Sequence, residues 1–144
     1  MEGQEDTRGL RVLLVDIRPE RRQLVRHLIE STGLAAPGIA EADDKARALE
    51  LLDHYDADVV VLDIQMPVEE GLNTIAALRG RSPRLRIVVC SFHHEAATKA
   101  RALAQGADAY LAKPVGAADL KRVLQRLSEE PPPGSRAPVR NHPC

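Results

Sequence analysis

The 144-residue sequence predicts an α/β domain in which five parallel strands alternate with five helices in a three-layer sandwich. Short apolar runs rich in β-branched residues recur along the chain, as is typical of strands buried on both faces. Segments with apolar residues at helical spacing separate these runs. Strict alternation implies right-handed crossovers, so that the strands run parallel and helices cover both faces of the sheet.

The first third of the chain contains two strands and one helix by this interpretation. Residues 10–15 form an apolar run that predicts the first strand. Residues 19–32 have helical spacing, with Pro19 suited to the first turn and Gly33 suited to the end of the helix. Residues 37–42 are a weak strand candidate, which the alternation of elements favours.

The middle of the chain carries the most apolar run. Asp43 or Asp44 is suited to cap a helix that extends to about His54. Residues 58–62 then predict a central strand, buried on both faces. We expect the following helix to begin at Gly71 and to end near Gly80.

The last third of the chain repeats the alternation. The remaining predicted elements are a strand at 86–90, a helix over 95–105, a short strand at 109–111 and a helix that begins near Ala117. Ser91 closes the first of these strands, and Gly106 ends the helix that follows. On helix 19–32, three arginines, Arg21, Arg22 and Arg26, are interpreted as a solvated face.

Composition divides the chain into a short extension, one domain and a tail. Residues 1–9 are an N-terminal extension, 10–127 the domain, and 128–144 a proline-rich flexible tail or a truncated linker. The net charge of −1 does not favour binding of nucleic acid or an anionic membrane by this segment. Cys90 and Cys144 do not form a disulfide framework, and neither a signal peptide nor a membrane span is apparent, so we expect a reduced, cytoplasmic location.

Four polar residues end the apolar runs, and they predict the functional site. Asp16, Asp63, Ser91 and Lys113 each follow a predicted strand, and the carboxyl ends of parallel strands meet at one edge of the sheet. Two adjacent carboxylates repel each other unless a cation neutralises them, and Mg²⁺ prefers such oxygen ligands. With a lysine and a hydroxyl beside them, the arrangement suits a phosphoryl group. Asp63 is then the candidate nucleophile, forming an acyl phosphate.

These residues stand in short motifs whose order and spacing resemble a known family. The motifs are Val15-Asp16 with Pro19, Leu62-Asp63-Ile64-Gln65-Met66-Pro67 with Gly71, Val89-Cys90-Ser91, and Gly106-Ala107-Asp108-Ala109-Tyr110-Leu111-Ala112-Lys113-Pro114. Over residues 10–127 the chain resembles the response regulator receiver domain of bacterial two-component systems. The resemblance implies a flavodoxin-like fold and a signalling domain rather than an enzyme. It further implies phosphorylation on Asp63 by a histidine kinase or a phosphotransfer protein, with Mg²⁺ required.

The resemblance also implies a role for each site residue. The implied metal ligands are Asp16, Asp63 and the main-chain carbonyl of Gln65. Ser91 is implied as the switch hydroxyl that turns toward the phosphoryl group, and Lys113 as the ion-pair partner of that group. Tyr110 is either the switch aromatic or an ordinary core residue of a strand. The face formed by the fourth helix, fifth strand and fifth helix is implied to change its binding preference and to support a homodimer.

Two residues depart from the family pattern. Ile17 stands where the family usually has a second acid, which removes one anionic oxygen and predicts weaker Mg²⁺ binding. Phe92 stands after the switch hydroxyl, where the family usually has a small residue, and it narrows the approach to Asp63. Both departures leave open a second function, that of a pseudo-receiver which docks or dimerises without phosphorylation.

The sequence disfavours two other functions, phosphoester hydrolysis and nucleotide binding. A phosphohydrolase with an aspartyl nucleophile needs a second carboxylate two residues later as general acid, and here that residue is Gln65. Nucleotide binding is disfavoured because the sequence contains neither a Gly-x-Gly-x-x-Gly nor a Walker motif.

Overall fold

The computed structural model describes residues 9–64 and 68–131, and its elements alternate as the sequence predicts. The strands are β1 (Val12–Val15), β2 (Ala40–Ala42), β3 (Val59–Ile64), β4 (Arg86–Ser91) and β5 (Ala109–Ala112). The helices are α1 (Pro19–Ser31), α2 (Lys45–Leu52), α3 (Val68–Arg81), α4 (Ala96–Gln105) and α5 (Ala117–Glu129). No helix in the described ranges is both long and apolar enough to cross a bilayer.

The strands form one parallel sheet in the order β2-β1-β3-β4-β5. The chain therefore reverses its direction across the sheet after β2, and the switch point lies between the neighbouring strands β1 and β3. The crevice at such a point is where open α/β sheets place their ligands. The predicted α/β fold of five parallel strands in alternating order is confirmed.

Helices cover both faces of the sheet because successive strand residues point to opposite sides. On one face, Leu13, Val60 and Ile87 pack in the same cluster as Ile75 of α3 and Ala102 of α4. On the other face the sheet residues pack with α1 and α5. The buried members from those two helices are Val25, Ile29, Leu120, Leu124 and Leu127.

Most predicted element boundaries lie within two residues of the observed ones. The structure also decides between Asp43 and Asp44 as the N-cap of α2. The Asp44 side chain accepts a hydrogen bond from the Arg47 main-chain N–H at 2.8 Å, so Asp44 caps α2. Of the strand predicted over 37–42, only the last three residues form β2. β1 begins at Val12, and Leu10 before it forms an isolated bridge to Ala35.

The start of α3 was predicted three residues too late. The helix begins at Val68, and Gly71 is buried inside it rather than leading it. Glu69 and Glu70 lie in the first turn, where negative charges interact favourably with the positive end of the helix dipole. The two acids were the overlooked sequence signal for this start.

The last helix also extends beyond its predicted end. Ser128 and Glu129 belong to α5, whereas the tail was expected to begin at residue 128. The buried Arg86 guanidinium donates to the Glu130 carbonyl at 2.7 Å and so ties the end of α5 to the start of β4. The division into 1–9, 10–127 and 128–144 stays a prediction, since 1–8 and 132–144 lie outside the described residues.

An arginine joins the ends of α3 and α4. The Arg79 guanidinium donates to the carbonyls of Pro83 at 3.0 Å, Leu85 at 2.5 Å and Gly106 at 2.7 Å, and to the Asp108 carboxylate at 2.8 Å. Gly106 ends α4 with a φ of 125°, a conformation that side chains disfavour. A Cβ at Gly106 would also lie 3.1 Å from the Arg79 side chain.

Candidate functional site

The four predicted strand-end residues lie together at the carboxyl edge of the sheet. Asp16 follows β1, Ser91 is the last residue of β4, and Lys113 follows β5 directly. Asp63 lies one residue inside β3, so the strand extends slightly past the predicted end. All four residues are buried. The Lys113 N–H donates to the Ser91 carbonyl at 2.8 Å, which brings these two residues side by side.

A buried ion pair is the central contact of the site. The Lys113 ammonium donates to Asp63 Oδ2, and the two side chains are only 6% and 2% exposed. Moving two charges out of water is costly, and their attraction in the low-dielectric interior offsets that cost only at close range. The Lys113–Pro114 peptide bond is cis. Lys113 thus pairs with Asp63, the predicted nucleophile, and its pairing with a phosphoryl group stays a prediction.

Asp16 is a buried carboxylate with one oxygen unused. Asp16 Oδ1 accepts from the Arg18 main-chain N–H at 3.0 Å, whereas Oδ2 has no hydrogen-bond partner within the described residues. Burial, followed by the neighbouring Asp63 carboxyl, raises the pKa of Asp16 to about 7, although Lys113 opposes this. When protonated, the Asp16 carboxyl can donate to Asp63; when ionised, it needs a cation.

The two carboxylates supply hard oxygen ligands for a divalent cation. Asp16, Ile17 and Asp63 line a cavity of about 370 Å³ at this edge. The unused Asp16 oxygen and the Asp63 carboxyl fit the ligand chemistry of Mg²⁺. Across residues 9–64 and 68–131, three His, Cys, Asp or Glu side chains do not come together as a metal site. Gln65, the third predicted ligand, lies outside the described residues.

The cavity also has an acidic rim that the sequence did not reveal. Asp43, Asp44 and Glu70 line the opening, together with Asn73. Asp43 follows β2 as Asp16 follows β1, and that parallel was the available signal. Ile17 is 52% exposed and lines the cavity without contributing a charge, as its residue type predicts.

The loop after β4 connects three site residues. Ser91 Oγ accepts from the His93 N–H at 2.9 Å, and the Tyr110 hydroxyl donates to the His93 carbonyl at 2.6 Å. The His94 Nε2 lies 3.1 Å from the Lys113 carbonyl. Tyr110 packs on the core and also bonds this loop, so its two predicted interpretations are compatible. Sequence patterns did not indicate these contacts of His93 and His94, because they join distant parts of the chain.

The exposed Phe92 ring lies close to the Lys113 ammonium of the buried ion pair. The Phe92 side chain is 57% exposed, and its ring centroid lies 5.3 Å from Lys113 Nζ and 5.7 Å from Arg21 Cζ. Both distances fall within the range of cation–π attraction. The ring is thus close to the Lys113 ammonium, whereas the expected narrowing of the approach to Asp63 stays a prediction.

The arginines of α1 are not simply a solvated face. Arg22 donates to Glu41 at 3.2 Å and to the Asp16 carbonyl at 2.8 Å, so it supports the residue that begins the site. Arg26 also pairs with Glu41. The nearby Cys90 is buried, which raises the pKa of its thiol to about 12, so the thiol stays protonated at neutral pH.

Comparisons with known proteins agree with this geometry. The family model of the response regulator receiver domain matches residues 12–125. The nitrate/nitrite response regulator protein NarL of Escherichia coli K12 is 36% identical over 120 residues, covering 81% of this chain and 54% of NarL. The chain thus spans about half the length of that curated relative.

Two further similarities involve a relative of similar length and a solved structure. The chemotaxis protein CheY of Listeria monocytogenes is 28% identical over 120 residues, covering 83% of this chain and 97% of CheY. The crystal structure of a two-component response regulator of the LuxR family from Aurantimonas sp. SI85-9A1 superposes with a TM-score of 0.75 at 29% identity. That superposition covers 85% of this chain and 88% of the other. With its motifs, its sheet and the match of the family model, this chain belongs to the response regulator receiver domain family of two-component systems.

Proposed function

We propose that this domain accepts a phosphoryl group on Asp63 from a phosphohistidine of a histidine kinase or phosphotransfer protein. The observation that carries the proposal is the buried ion pair of Asp63 with Lys113, beside the second buried carboxylate of Asp16. A structural ion pair alone does not account for an additional unpaired Asp16 oxygen at the same cavity. A phosphorylation site accounts for all three charges.

The transfer step follows from the positions of the charged groups. A carboxylate oxygen of Asp63 attacks phosphorus, and the P–N bond of the phosphohistidine breaks as the new P–O bond forms. The electron pair of the broken bond stays on the imidazole nitrogen, and the product on Asp63 is an acyl phosphate. The Lys113 ammonium already lies against Asp63, so it can pair with the phosphoryl oxygens after transfer.

A metal ion completes the charge balance of the proposed site. Asp16 Oδ2, the Asp63 carboxyl and the main-chain carbonyl of Gln65 are the residues that would hold Mg²⁺. Bound Mg²⁺ supplies positive charge that offsets the phosphoryl oxygens during transfer. Asp16 keeps its Oδ1 bonded to the Arg18 N–H, so Oδ2 is held ready at the cavity. Without an acid at position 17, we propose that this metal site is weak.

The response to phosphorylation is proposed to pass through the loop after β4. Ser91, Tyr110 and Lys113 each bond to His93 or His94. A hydroxyl that turns from the His93 N–H to the phosphoryl group would release that loop and change the face of α4, β5 and α5. We propose that this face binds partner proteins or a second copy of the chain. On this proposal the domain is a bacterial, cytoplasmic signalling module that does not itself act as an enzyme or bind nucleic acid.

A pseudo-receiver is the second candidate, and Phe92 is the observation that favours it. The exposed Phe92 ring lies 5.3 Å from Lys113 Nζ, and a ring this close to the ion pair would narrow the approach of a donor to Asp63. Together with Ile17 at the metal cavity, this ring would favour docking or dimerisation without phosphoryl transfer.

Intact mass spectrometry after incubation with acetyl phosphate and Mg²⁺ separates the two candidates. We expect one phosphoryl adduct that is absent from Asp63→Asn and from samples treated with EDTA. The adduct should be lost with hydroxylamine, which cleaves acyl phosphates. If neither acetyl phosphate nor any histidine kinase produces an adduct, the pseudo-receiver is correct. Steady turnover of a chromogenic phosphate ester that depends on Asp63 would instead indicate a phosphohydrolase.

A further inference from the structure

The Phe92 ring contacts a second cation besides Lys113. Arg21 lies in the first turns of α1, with its guanidinium carbon 5.7 Å from the ring centroid. A guanidinium at this distance is attracted to the ring face, but more weakly than to an anion. An approaching anion could therefore draw the Arg21 guanidinium away from the ring.

Arg21 differs from the neighbouring arginines of α1 in its partners. Arg22 and Arg26 both pair with Glu41. Within residues 9–64 and 68–131, Arg21 makes no ion pair with a carboxylate, although its side chain is half-buried. Its guanidinium carries five N–H donors in a planar fork that matches the oxygens of a phosphoryl group. Arg21 is thus a cation with free donors beside the site.

Arg21 and Lys113 also face a common opening. Both line a groove of about 750 Å³ between α1 and the start of α5. The groove walls are mainly apolar, and they include Leu24, Leu28 and Val115, while Glu20 also lines the groove. Apolar walls strengthen the attraction between a cation and an approaching anion, because they exclude the water that would screen it. Asp63 lines a separate cavity with Asp16, and Lys113, which lines the groove and pairs with Asp63, connects the two.

We propose that Arg21 is a phosphodonor-binding residue and that Phe92 is its positioning residue. This inference rests on the proposed function. The guanidinium of Arg21 binds the anionic phosphoryl group of the donor as it approaches Asp63, and the Phe92 ring, which Lys113 also contacts, holds Arg21 until then. The ligand class is a phosphoryl dianion on a nitrogen or an acyl oxygen, as in phosphohistidine or acetyl phosphate. If Phe92 only shielded Lys113, the contact of its ring with Arg21 would have no function.

Titration with inorganic phosphate tests the binding step without any covalent reaction. The readout is the NMR signal of the Arg21 Nε–H together with the site amides, with Mg²⁺ present. We expect Arg21→Ala to weaken phosphate binding by about two- to fivefold, as for loss of one exposed charged contact. The matched control is Arg84→Ala, an exposed arginine before β4 at the opposite edge of the sheet, and it should leave binding unchanged. Equal binding by wild type and Arg21→Ala would overturn the proposal.

Substitution of Phe92 tests the positioning role separately. Phe92→Leu keeps an apolar side chain but removes the aromatic face, so we expect weaker phosphate binding in the same direction as Arg21→Ala. The double variant should bind no more weakly than Arg21→Ala alone, because both changes remove one interaction. Additive losses would assign Phe92 a role independent of Arg21 and overturn this part.

The rate of phosphorylation by acetyl phosphate adds a readout that a structural role would not change. The rate should fall with added salt in wild type, and this dependence should be shallower in Arg21→Ala. An identical salt dependence contradicts the inference while leaving phosphorylation of Asp63 intact. If wild type forms no Asp63-dependent adduct, the proposed function fails, and the phosphate titration still decides the role of Arg21.

Discussion

The ammonium group of Lys113 and the carboxylate of Asp63 form an ion pair that is almost wholly removed from solvent. Lys113→Met would remove the cation that pairs with the buried Asp63 carboxylate, so we expect a loss of roughly 3 kcal/mol of unfolding free energy at neutral pH. The double variant Asp63→Asn/Lys113→Met should recover much of that loss. Chemical denaturation measures both.

The exposed ion pair of Arg122 with Asp119 provides the control for this comparison. Arg122→Ala should change the unfolding free energy by less than about 1 kcal/mol, because solvent screens exposed pairs. Equal losses for Lys113→Met and Arg122→Ala would contradict the buried ion pair.

The raised pKa of Asp16 predicts how metal-free stability depends on pH. Its pKa of about 7 in the folded chain exceeds the ~3.9 typical of an unfolded aspartate. The folded protein therefore retains a proton that the unfolded chain has lost, and stability falls as the pH rises from about 4 to about 7. Asp16→Asn keeps the acceptor for the Arg18 N–H and should flatten this fall. Thermal denaturation in EDTA across that pH range measures it; an unchanged slope would show that Asp16 is ionised throughout.

Restoring an acid at position 17 should strengthen metal binding. Ile17→Asp adds an anionic oxygen at the cavity shared with Asp16 and Asp63, and we expect Mg²⁺ to bind more tightly by about 1 kcal/mol or more. Ile17→Asn is the matched control, since asparagine has a similar shape to aspartate but carries no charge. Calorimetric titration of Mg²⁺ compares the three proteins. If Ile17→Asp binds Mg²⁺ like wild type, the existing carboxylates already provide the full ligand set.

The bonds of the loop after β4 predict where a phosphoryl analogue is sensed. Beryllofluoride with Mg²⁺ should shift the amide signals of Ser91, His93 and Tyr110, because the Ser91 hydroxyl leaves the His93 N–H. Tyr110→Phe removes the hydrogen bond to the His93 carbonyl. The amide signal of residue 110 should then shift less, while the amide signal of Ser91 still shifts. Unchanged spectra around Ser91 in wild type would argue against a working switch.

The sequence predicted the sheet and the central site because both follow from local patterns. Apolar runs identified the strands, and the polar residue at the end of each run identified Asp16, Ser91 and Lys113. The predicted start of α3 was wrong because a glycine such as Gly71 is typical of a helix boundary. The acids that stabilise the actual first turn, Glu69 and Glu70, lie just before Gly71.

The missed contacts share a physical reason: each joins side chains that are distant in the chain. Arg21 and Phe92 are 71 positions apart, and neither the helical period of α1 nor the loop sequence indicates that they meet. The bonds of Arg79 to Gly106 and Asp108 likewise depend on how α3 and α4 pack. Such contacts are determined only once the helices are placed on the sheet.

The bonds of Arg79 have a mechanical consequence for α4. They fix the carboxyl end of that helix to α3 and β5, whereas its amino end follows the loop of His93 and His94. A helix fixed at one end would pivot if the other end were displaced, so the rearrangement proposed at Ser91 would tilt α4 rather than slide it. The displacement would grow with distance from Gly106 and be greatest at Ala96, the first residue of α4 after the loop of His93 and His94.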